Sequence, residues 1–233
     1  NFNSQGNPNL KPSDHYNLDL KWDFNPTPTE LISLTAFYKL IKNPISRIEV
    51  ASAGGYLSYE NIADKATVAG VEVEVRKNLF VRPLSSAANG MNKLSFGLNG
   101  SYIYTNAKMP LATVTTGSQL EGAAPWIANF DLSHNFTKGN HSFINTLVLN
   151  YVSDKIYTIG TQGYQDIMEQ GMMTLDFVSQ AKLNKYVSLT LKARNLLNPS
   201  YKLSRKANES GEKVVLSDYK KGINISLGVS CTF

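Results

Sequence analysis

The sequence predicts an all-β protein, an antiparallel β-barrel that spans a membrane. Three observations lead to this prediction: nine segments alternate between apolar and polar residues, short and long connections follow each other, and aromatic residues gather near the strand ends. Alternation with a period of two places one face of a strand in lipid and the other toward water. Such a barrel needs no continuous apolar run of the length that a spanning helix requires.

Nine strands carry this alternation. In chain order they are predicted over residues 14–24, 30–41, 67–77, 93–105, 126–136, 141–153, 173–183, 187–194 and 223–233. Pro26 and Pro28 separate the first two, because proline cannot donate a hydrogen bond to a β-ladder. Asn184 and Lys185 form a two-residue hairpin turn between the seventh and the eighth. Residues 45–50 are open to a second interpretation, as a continuation of the second strand.

The sixth strand has two candidate outward faces. One consists of Phe143, Leu147, Leu149 and Tyr151, and the other of Ile144, Val148 and Val152. Both sets are apolar, so alternation alone does not choose between them. A β-bulge, which adds one residue to one of two paired strands, would reconcile the two sets.

The connections and the aromatic residues agree on the orientation of the strands. Short and long connections alternate, and outer-membrane barrels have short periplasmic turns and long extracellular loops. Aromatic side chains should form a girdle at each membrane interface. The extracellular girdle is predicted to contain Tyr16, Tyr102, Tyr104, Trp126 and Tyr151, and the periplasmic one Trp22, Phe24, Phe136, Phe143, Tyr186 and Phe233.

The last predicted strand has the clearest pattern. Its outward face consists of Ile223, Ile225, Leu227, Val229, Cys231 and Phe233, and its other face is small and polar. A strand of this kind that ends on an aromatic residue resembles the signal that closes bacterial outer-membrane barrels. Ile225, Leu227, Val229 and Phe233 are therefore the predicted barrel-insertion signal, which the barrel assembly machinery would read.

Nine is an odd number of strands. Single-chain bacterial barrels use an even number. An open sheet in lipid would also leave backbone groups unsatisfied, at several kcal/mol for each group. We therefore expect residues 1–233 to be the carboxy-terminal part of a larger barrel domain.

Four segments carry a resemblance to a known family. They read GNPNLKPSDHYNLDLKWDF, ENIADKATVAGVEVEV, ARNLLNPSY and ISLGVSCTF, and in this order and spacing they resemble the last strands of TonB-dependent outer-membrane receptors, in particular those of Bacteroidetes. The resemblance covers essentially the whole chain. It implies a barrel of about 22 strands around an amino-terminal plug domain, which this chain would lack.

The resemblance also implies a function and partners. Receptors of this family import a scarce nutrient, such as a metal chelate, a vitamin or an oligosaccharide, across the cell outer membrane. Energy would come from the TonB complex through the missing amino-terminal region, and a surface lipoprotein is a possible further partner. The substrate does not follow from these residues.

Candidate contacts for a ligand lie mainly in the loops, because binding residues concentrate on loops held by a rigid scaffold. The loop candidates are Tyr56, Tyr59, Trp126, Tyr157, Tyr164 and Arg205. A row of inward charged residues is expected to form cross-strand ion pairs along a hydrated interior. This row contains Asp19, Lys21, Asp23, Lys39, Glu72, Glu74, Arg76, Asp176, Lys192 and Arg194. Gly70, in the third strand, should let that strand bend or let a bulky inward group approach.

Other site classes are not predicted. Glu72 and Glu74 share one strand face but have no nucleophile or base beside them, so no enzyme and no catalytic residue is predicted. The three histidines lie on different strands, and Cys231 is the single cysteine, so no metal site, disulfide or cofactor is predicted. The net charge of +5 is spread over turns and loops, which argues against nucleic acid as a partner.

One alternative to transport is a soluble all-β binding or adhesion module, in which the apolar faces pack sheet on sheet. Such a module should have strands of about five or six residues. It should also have connections of similar length on both sides. The predicted strands are longer and the connections strongly unequal, which favours the membrane barrel.

Overall fold

The computed structural model describes residues 3–50, 56–84, 90–109, 119–161, 164–207 and 211–232. These residues form sixteen β-strands and no helix. The strands are β1 Asn3–Ser4, β2 Asp14–Phe24, β3 Leu31–Lys42, β4 Ile45–Val50, β5 Tyr56–Asn61, β6 Lys65–Pro83, β7 Gly90–Ala107, β8 Trp126–Lys138, β9 His141–Val152, β10 Lys155–Thr158, β11 Ile167–Glu169, β12 Met172–Lys182, β13 Val187–Arg194, β14 Ser200–Lys206, β15 Lys213–Lys220 and β16 Asn224–Cys231. The prediction of an all-β chain with antiparallel sheets is thus confirmed. Among these residues there is no helix of the length and hydrophobicity needed to cross a membrane.

A nine-stranded antiparallel sheet dominates the fold. Its order is β2-β3-β6-β7-β8-β9-β12-β13-β16, so each strand pairs with the next one along the chain that belongs to the sheet. These nine strands coincide in order and position with the nine segments of alternating sequence. The sheet is open: β2 and β16 are its two edges and do not pair with each other. We call the end with the four long connections the loop end, and the opposite end the turn end.

The two faces of this sheet differ as the alternation predicts. Large apolar side chains project from the outward face; Leu20 is 74% exposed and Leu227 is 71% exposed. On the inner face, uncharged polar side chains bond across neighbouring strands. These pairs are Asn99–Asn129 at 3.4 Å, Ser133–Thr146 at 3.1 Å and Asn150–Thr174 at 3.4 Å. A further polar pair, Asn145–Ser179 at 2.7 Å, lies on the outward face, which Asn145 shares with Phe143 and Leu147. A sheet with one apolar and one hydrogen-bonding face suits lipid on one side and water on the other.

Strand β9 settles which of its apolar sets points outward. Its register against β8 is continuous, with Phe143 opposite Phe136 and Leu147 opposite Leu132. Ile144, Val148 and Val152 therefore belong to the inner face. The β-bulge suggested for this strand is wrong, because no extra residue is needed when the inner face accepts three apolar side chains.

A bulge does occur in β6. The pairing of β6 with β7 shifts between Asn78 and Phe80, near the turn end. The carboxylate of Glu30 accepts the backbone N–H of Asn78 at 3.0 Å. This hydrogen bond, followed by the charge of Lys77, holds the pKa of Glu30 below its usual range. The strand continues past the bulge to Pro83, so it is longer than the predicted 67–77.

Aromatic pairs mark both ends of the outward face. Tyr102 and Trp126 lie with their ring centroids 4.5 Å apart near the loop end, and Phe136 and Phe143 lie 6.4 Å apart near the turn end. Trp126 and Phe136 are ten positions apart in β8. At about 3.3 Å per residue and a tilt of about 40°, they span about 25 Å along the membrane normal. That distance equals the height of the apolar band of an outer-membrane barrel.

Gly70 gives Phe37 the room to lie across the sheet. The two residues are paired between β3 and β6 on the inner face. A Cβ at position 70 would meet the ring of Phe37 and would stand 2.5 Å from the backbone oxygen of Tyr102. The oxygen is part of the β-ladder and cannot move aside. The expectation that Gly70 admits a bulky inward group is thus confirmed.

The substitution Gly70→Ala should destabilise the barrel by about 1–3 kcal/mol, because the added methyl overpacks a fixed site. Gly100→Ala is the matched control: Gly100 lies in β7, and a Cβ there would meet nothing within 4 Å. The midpoint of thermal unfolding of the full-length receptor in detergent compares the stability of the two variants. Equal midpoints for the two variants would contradict this account of Gly70.

The predicted loops are not irregular throughout. The connection after β3 contains β4 and β5, which pair with each other, and β5 also pairs with β1. The third and fourth long connections supply β10, β11, β14 and β15, which form a four-stranded sheet. The interpretation of residues 45–50 as a continuation of the second strand is wrong, because Asn43, with a φ of 48°, and Pro44 break the chain between β3 and β4. We call these seven strands, together with residues 119–125 and Ile159, the loop assembly.

The buried apolar core lies where the loop assembly meets the main sheet. Ile41, Ala66 and Ala107 form a row across β3, β6 and β7 at the loop end, on the inner face. They pack against buried residues of the loop assembly, among them Ile48, Leu120, Ile156 and Ile159. The loop assembly therefore folds over the inner face and leaves the outward face uncovered.

The predicted insertion signal can be located in part. Ile225, Leu227 and Val229 project from the outward face of β16, opposite Ala193, Leu191 and Leu189 of β13. Phe233 lies outside the described residues. Its role in insertion stays a prediction.

Candidate functional site

Two backbone hydrogen bonds join the sheets of the loop assembly. Ile48 of β4 and Ile159, which follows β10, form a parallel bridge. The N–H of Glu49 donates to the oxygen of Ile159 at 3.1 Å, and the N–H of Ile159 donates to the oxygen of Arg47 at 3.1 Å. These hydrogen bonds join the first and third long connections, which are more than a hundred residues apart, into one structural unit.

Two ion pairs reinforce this unit. The guanidinium of Arg205, in β14, contacts both carboxylate oxygens of Glu49, in β4, at 2.9 and 2.7 Å. Their side chains are 14% and 12% exposed, so water screens the pair only weakly. Arg47 pairs with Glu121 of the second long connection at 3.0 Å. Together these contacts tie all four long connections to each other.

A cleft of about 580 Å³ lies between the two sheets of the loop assembly. Its walls carry four tyrosines, Tyr59 from β5, Tyr157 from β10, Tyr201 from β14 and Tyr219 from β15. Arg47 also lines the cleft, and its guanidinium lies 3.9 Å from the centre of the Tyr157 ring. Small-molecule sites have volumes of about 300–1,000 Å³. The size and the aromatic walls make this cleft the candidate ligand site.

Arg47 and Tyr201, both cleft residues, have polar partners. The Nε of Arg47 donates to the backbone oxygen of Tyr157 at 3.0 Å and to Thr158 Oγ1 at 3.1 Å, besides the ion pair with Glu121. The hydroxyl of Tyr201 donates to Glu169 at 3.3 Å. Burial, followed by the nearby charge of Glu169, raises the pKa of Tyr201 to about 12. Its phenol therefore stays neutral at physiological pH.

The loop residues proposed from sequence have different surroundings. Tyr59 and Tyr157 line the cleft. Tyr164 lies beneath the guanidinium of Arg205, 5.4 Å from the ring centre, beside the ion pair that joins the sheets. Trp126 lies instead on the outward face, against Tyr102. Tyr56 is the first residue of β5 and is not among the cleft residues.

Arg47, Tyr201 and Tyr219 are among the cleft residues that were not singled out from sequence. Tyr201 ends the segment NLLNPSY, which pattern alone marks as the end of a strand, and Arg47 lies in the stretch whose assignment was open. Tyr219 lies 5.1 Å from Tyr201, measured between ring centroids, in the paired strand. The alternation in KVVLSDYK, which is β15, was the available signal for this hairpin.

The inward charged row pairs less across strands than expected. Lys21 contacts Asp23 at 3.3 Å and Glu74 contacts Arg76 at 2.7 Å, and each pair lies along a single strand. Residues two apart on a strand share one face and reach each other without a neighbour. Cross-strand contacts on this face are instead made by the uncharged pairs described above. Among the described residues, no three His, Cys, Asp or Glu side chains are grouped as a metal site would require.

Comparison with protein families gives a match over most of the chain. Residues 1–196 match the family model described as TonB dependent receptor-like, beta-barrel. The chain belongs to this family. Its members are outer-membrane transporters and receptors that work with TonB, and they are not an enzyme family. No curated protein and no solved structure gave a significant match to this chain.

Proposed function

We propose that this chain forms part of the barrel wall and the extracellular loops of a TonB-dependent receptor that imports a nutrient. The observation that carries the proposal is the position of the loop assembly. It covers the inner, polar face of a sheet whose outward face is apolar. A ligand held by these loops would lie above a hydrated interior and away from lipid.

The geometry supports capture of the nutrient by the loops and its release into the interior. The cleft lies among the loops, and polar pairs such as Ser133–Thr146 and Asn150–Thr174 make the inner face below it hydrophilic. Energy for release would come from the TonB complex, acting on a plug domain outside this chain. A surface lipoprotein that covers the loops is a further proposed partner.

The open edges of the sheet support a larger barrel. Strands β2 and β16 each have one neighbour. In lipid, unpaired backbone groups cost several kcal/mol each, so both edges require partner strands. We propose that further strands of the same receptor supply them, to a total of about 22, with this chain as the carboxy-terminal part of the barrel.

The soluble alternative lacks the packing that it needs. A sandwich would bury the apolar face of the main sheet against a second sheet. Among the described residues, the buried core lies on the inner face and in the loop assembly, while outward residues such as Leu18, Leu34 and Leu227 are exposed. No observation favours the adhesion module.

Uptake by cells tests the proposal. Cells that express the full-length receptor should accumulate its nutrient, and accumulation should stop when TonB is inactivated. Alkaline carbonate should leave the receptor in the membrane fraction. Unchanged uptake without TonB would indicate a passive pore, and release by carbonate would exclude a membrane barrel.

A further inference from the structure

We propose that the tyrosine cleft of the loop assembly binds an uncharged oligosaccharide. This inference rests on the proposed function and names the substrate class of the same site. It follows from three properties of the cleft: exposed aromatic rings, compensated charge and hydroxyl groups among its lining residues.

The first property is the set of rings that a sugar can stack on. Tyr59 is 41% exposed and Tyr219 is 48% exposed, although both line the cleft. Tyr219 is supported from one side by Tyr201, with ring planes inclined at 41°. Sugar rings present C–H groups on one face, and such a face is attracted to the negative face of an aromatic ring. Because these two exposed tyrosines come from different sheets and line the same cleft, one sugar chain can contact both.

The second property is the charge balance. Arg47 is the one charged residue among the described residues that line the cleft. It is already engaged, because Glu121 lies 3.0 Å away and its Nε donates to two acceptors. An anionic metal chelate would have to displace Glu121 to gain a cation. An uncharged ligand requires no such exchange, so the cleft favours it.

The third property is the supply of hydrogen-bonding groups. Ser4, at the edge of β1, and Ser217, in β15, lie at the cleft together with the phenol of Tyr59. Hydroxyl groups can donate and accept, as the hydroxyls of a sugar also do. The Tyr201 phenol is bonded to Glu169, which fixes the Tyr201 ring as a support for Tyr219. Aromatic faces with hydroxyls beside them match the two sides of a sugar ring.

Calorimetry with the full-length receptor in detergent tests this site. The probes are neutral α-glucan, β-glucan, xylan and mannan oligosaccharides, with ferric citrate and cyanocobalamin as competing classes. We expect at least one neutral oligosaccharide to bind, with an affinity that does not change when the ionic strength is raised. Tyr219→Ala and Tyr59→Ala should each weaken it about fivefold to tenfold, since each removes one stacking ring.

Tyr186→Ala is the matched control, because Tyr186 is also an exposed tyrosine (53%) but lies in the turn between β12 and β13, outside the cleft. The Tyr186→Ala receptor should bind the oligosaccharide with the affinity of the unaltered receptor. Thermal unfolding of each variant checks that it is folded. The inference is overturned if no neutral oligosaccharide binds, if either cleft variant keeps full affinity, or if only ferric citrate or cyanocobalamin binds. If the oligosaccharide inference is overturned but the receptor still takes up a nutrient in a TonB-dependent way, the transport proposal stands. If a glycan binds but uptake does not depend on TonB, the transport proposal is rejected and the oligosaccharide site stands.

Discussion

Replacing Arg205 with methionine is expected to destabilise the loop assembly by about 3 kcal/mol, the largest effect of any single loop substitution that we propose. The change would leave the Glu49 carboxylate, 12% exposed, without the cation that contacts both of its oxygens. A carboxylate that loses its partner in a buried site costs more than the pair contributes when intact. The contact between the two loop sheets should then open more often.

Hydrogen exchange of the full-length receptor measures this opening. A decrease of about 3 kcal/mol in the free energy of opening corresponds to roughly a hundredfold faster exchange, if exchange occurs through the opened state. The effect should be confined to peptides that contain Glu49 and Ile159, whose N–H groups form the bridge between the sheets. The main sheet should exchange as in the unaltered receptor.

Two further variants complete this experiment. Lys202→Met removes the ion pair between Lys202 and Asp218, whose side chains are 38% and 42% exposed respectively. Loss of this exposed pair should lower the stability by less than about 1 kcal/mol. Glu49→Gln combined with Arg205→Met removes the unpaired charge of Glu49 and should restore part of the stability that Arg205→Met alone loses. If Arg205→Met and Lys202→Met gave the same exchange, the buried pair would not be what holds the sheets together.

The strands of the main sheet could be predicted because their signal is local. Residues 14–24 and 187–194 have the same bounds in the sequence-based prediction and in the structure. Each residue of such a strand faces lipid or water, so its polarity reports its side without knowledge of its neighbours. Where a bulge interrupts the alternation, as between Asn78 and Phe80, the prediction ended too early.

The loop assembly could not be predicted because its contacts are distant in sequence. Glu49 and Arg205 are separated by 156 positions, and Arg47 and the backbone oxygen of Tyr157 by 110. Each segment alone is a short alternating stretch between turns, which also suits an irregular loop. The cleft exists only after these segments meet, so sequence marked two of its tyrosines and missed Tyr201 and Tyr219.

Strand β9 is where the structure decides between two patterns that sequence leaves equal, and this choice gives the second large prediction. Leu147→Arg would place a charge on the outward face, between Leu132 of β8 and Phe177 of β12. Leu147 lies close to the middle of the span between the two aromatic girdles. A charge at the membrane midplane costs about 2–4 kcal/mol. The amount of folded receptor in the outer membrane should therefore fall severalfold.

Val148→Arg is the matched control, one residue along the same strand. Its side chain points to the inner face, where its neighbours across the sheet are Asp131 of β8 and Asp176 of β12. An arginine at this position would lie between two carboxylates and would remain hydrated, so its desolvation would cost little free energy. The amount of receptor in the outer membrane should therefore stay near that of the unaltered receptor. Quantitative blots of the outer-membrane fraction compare the two variants. The reverse result, with Leu147→Arg tolerated and Val148→Arg depleted, would mean that Ile144, Val148 and Val152 face lipid and that the register of β9 is shifted by one residue.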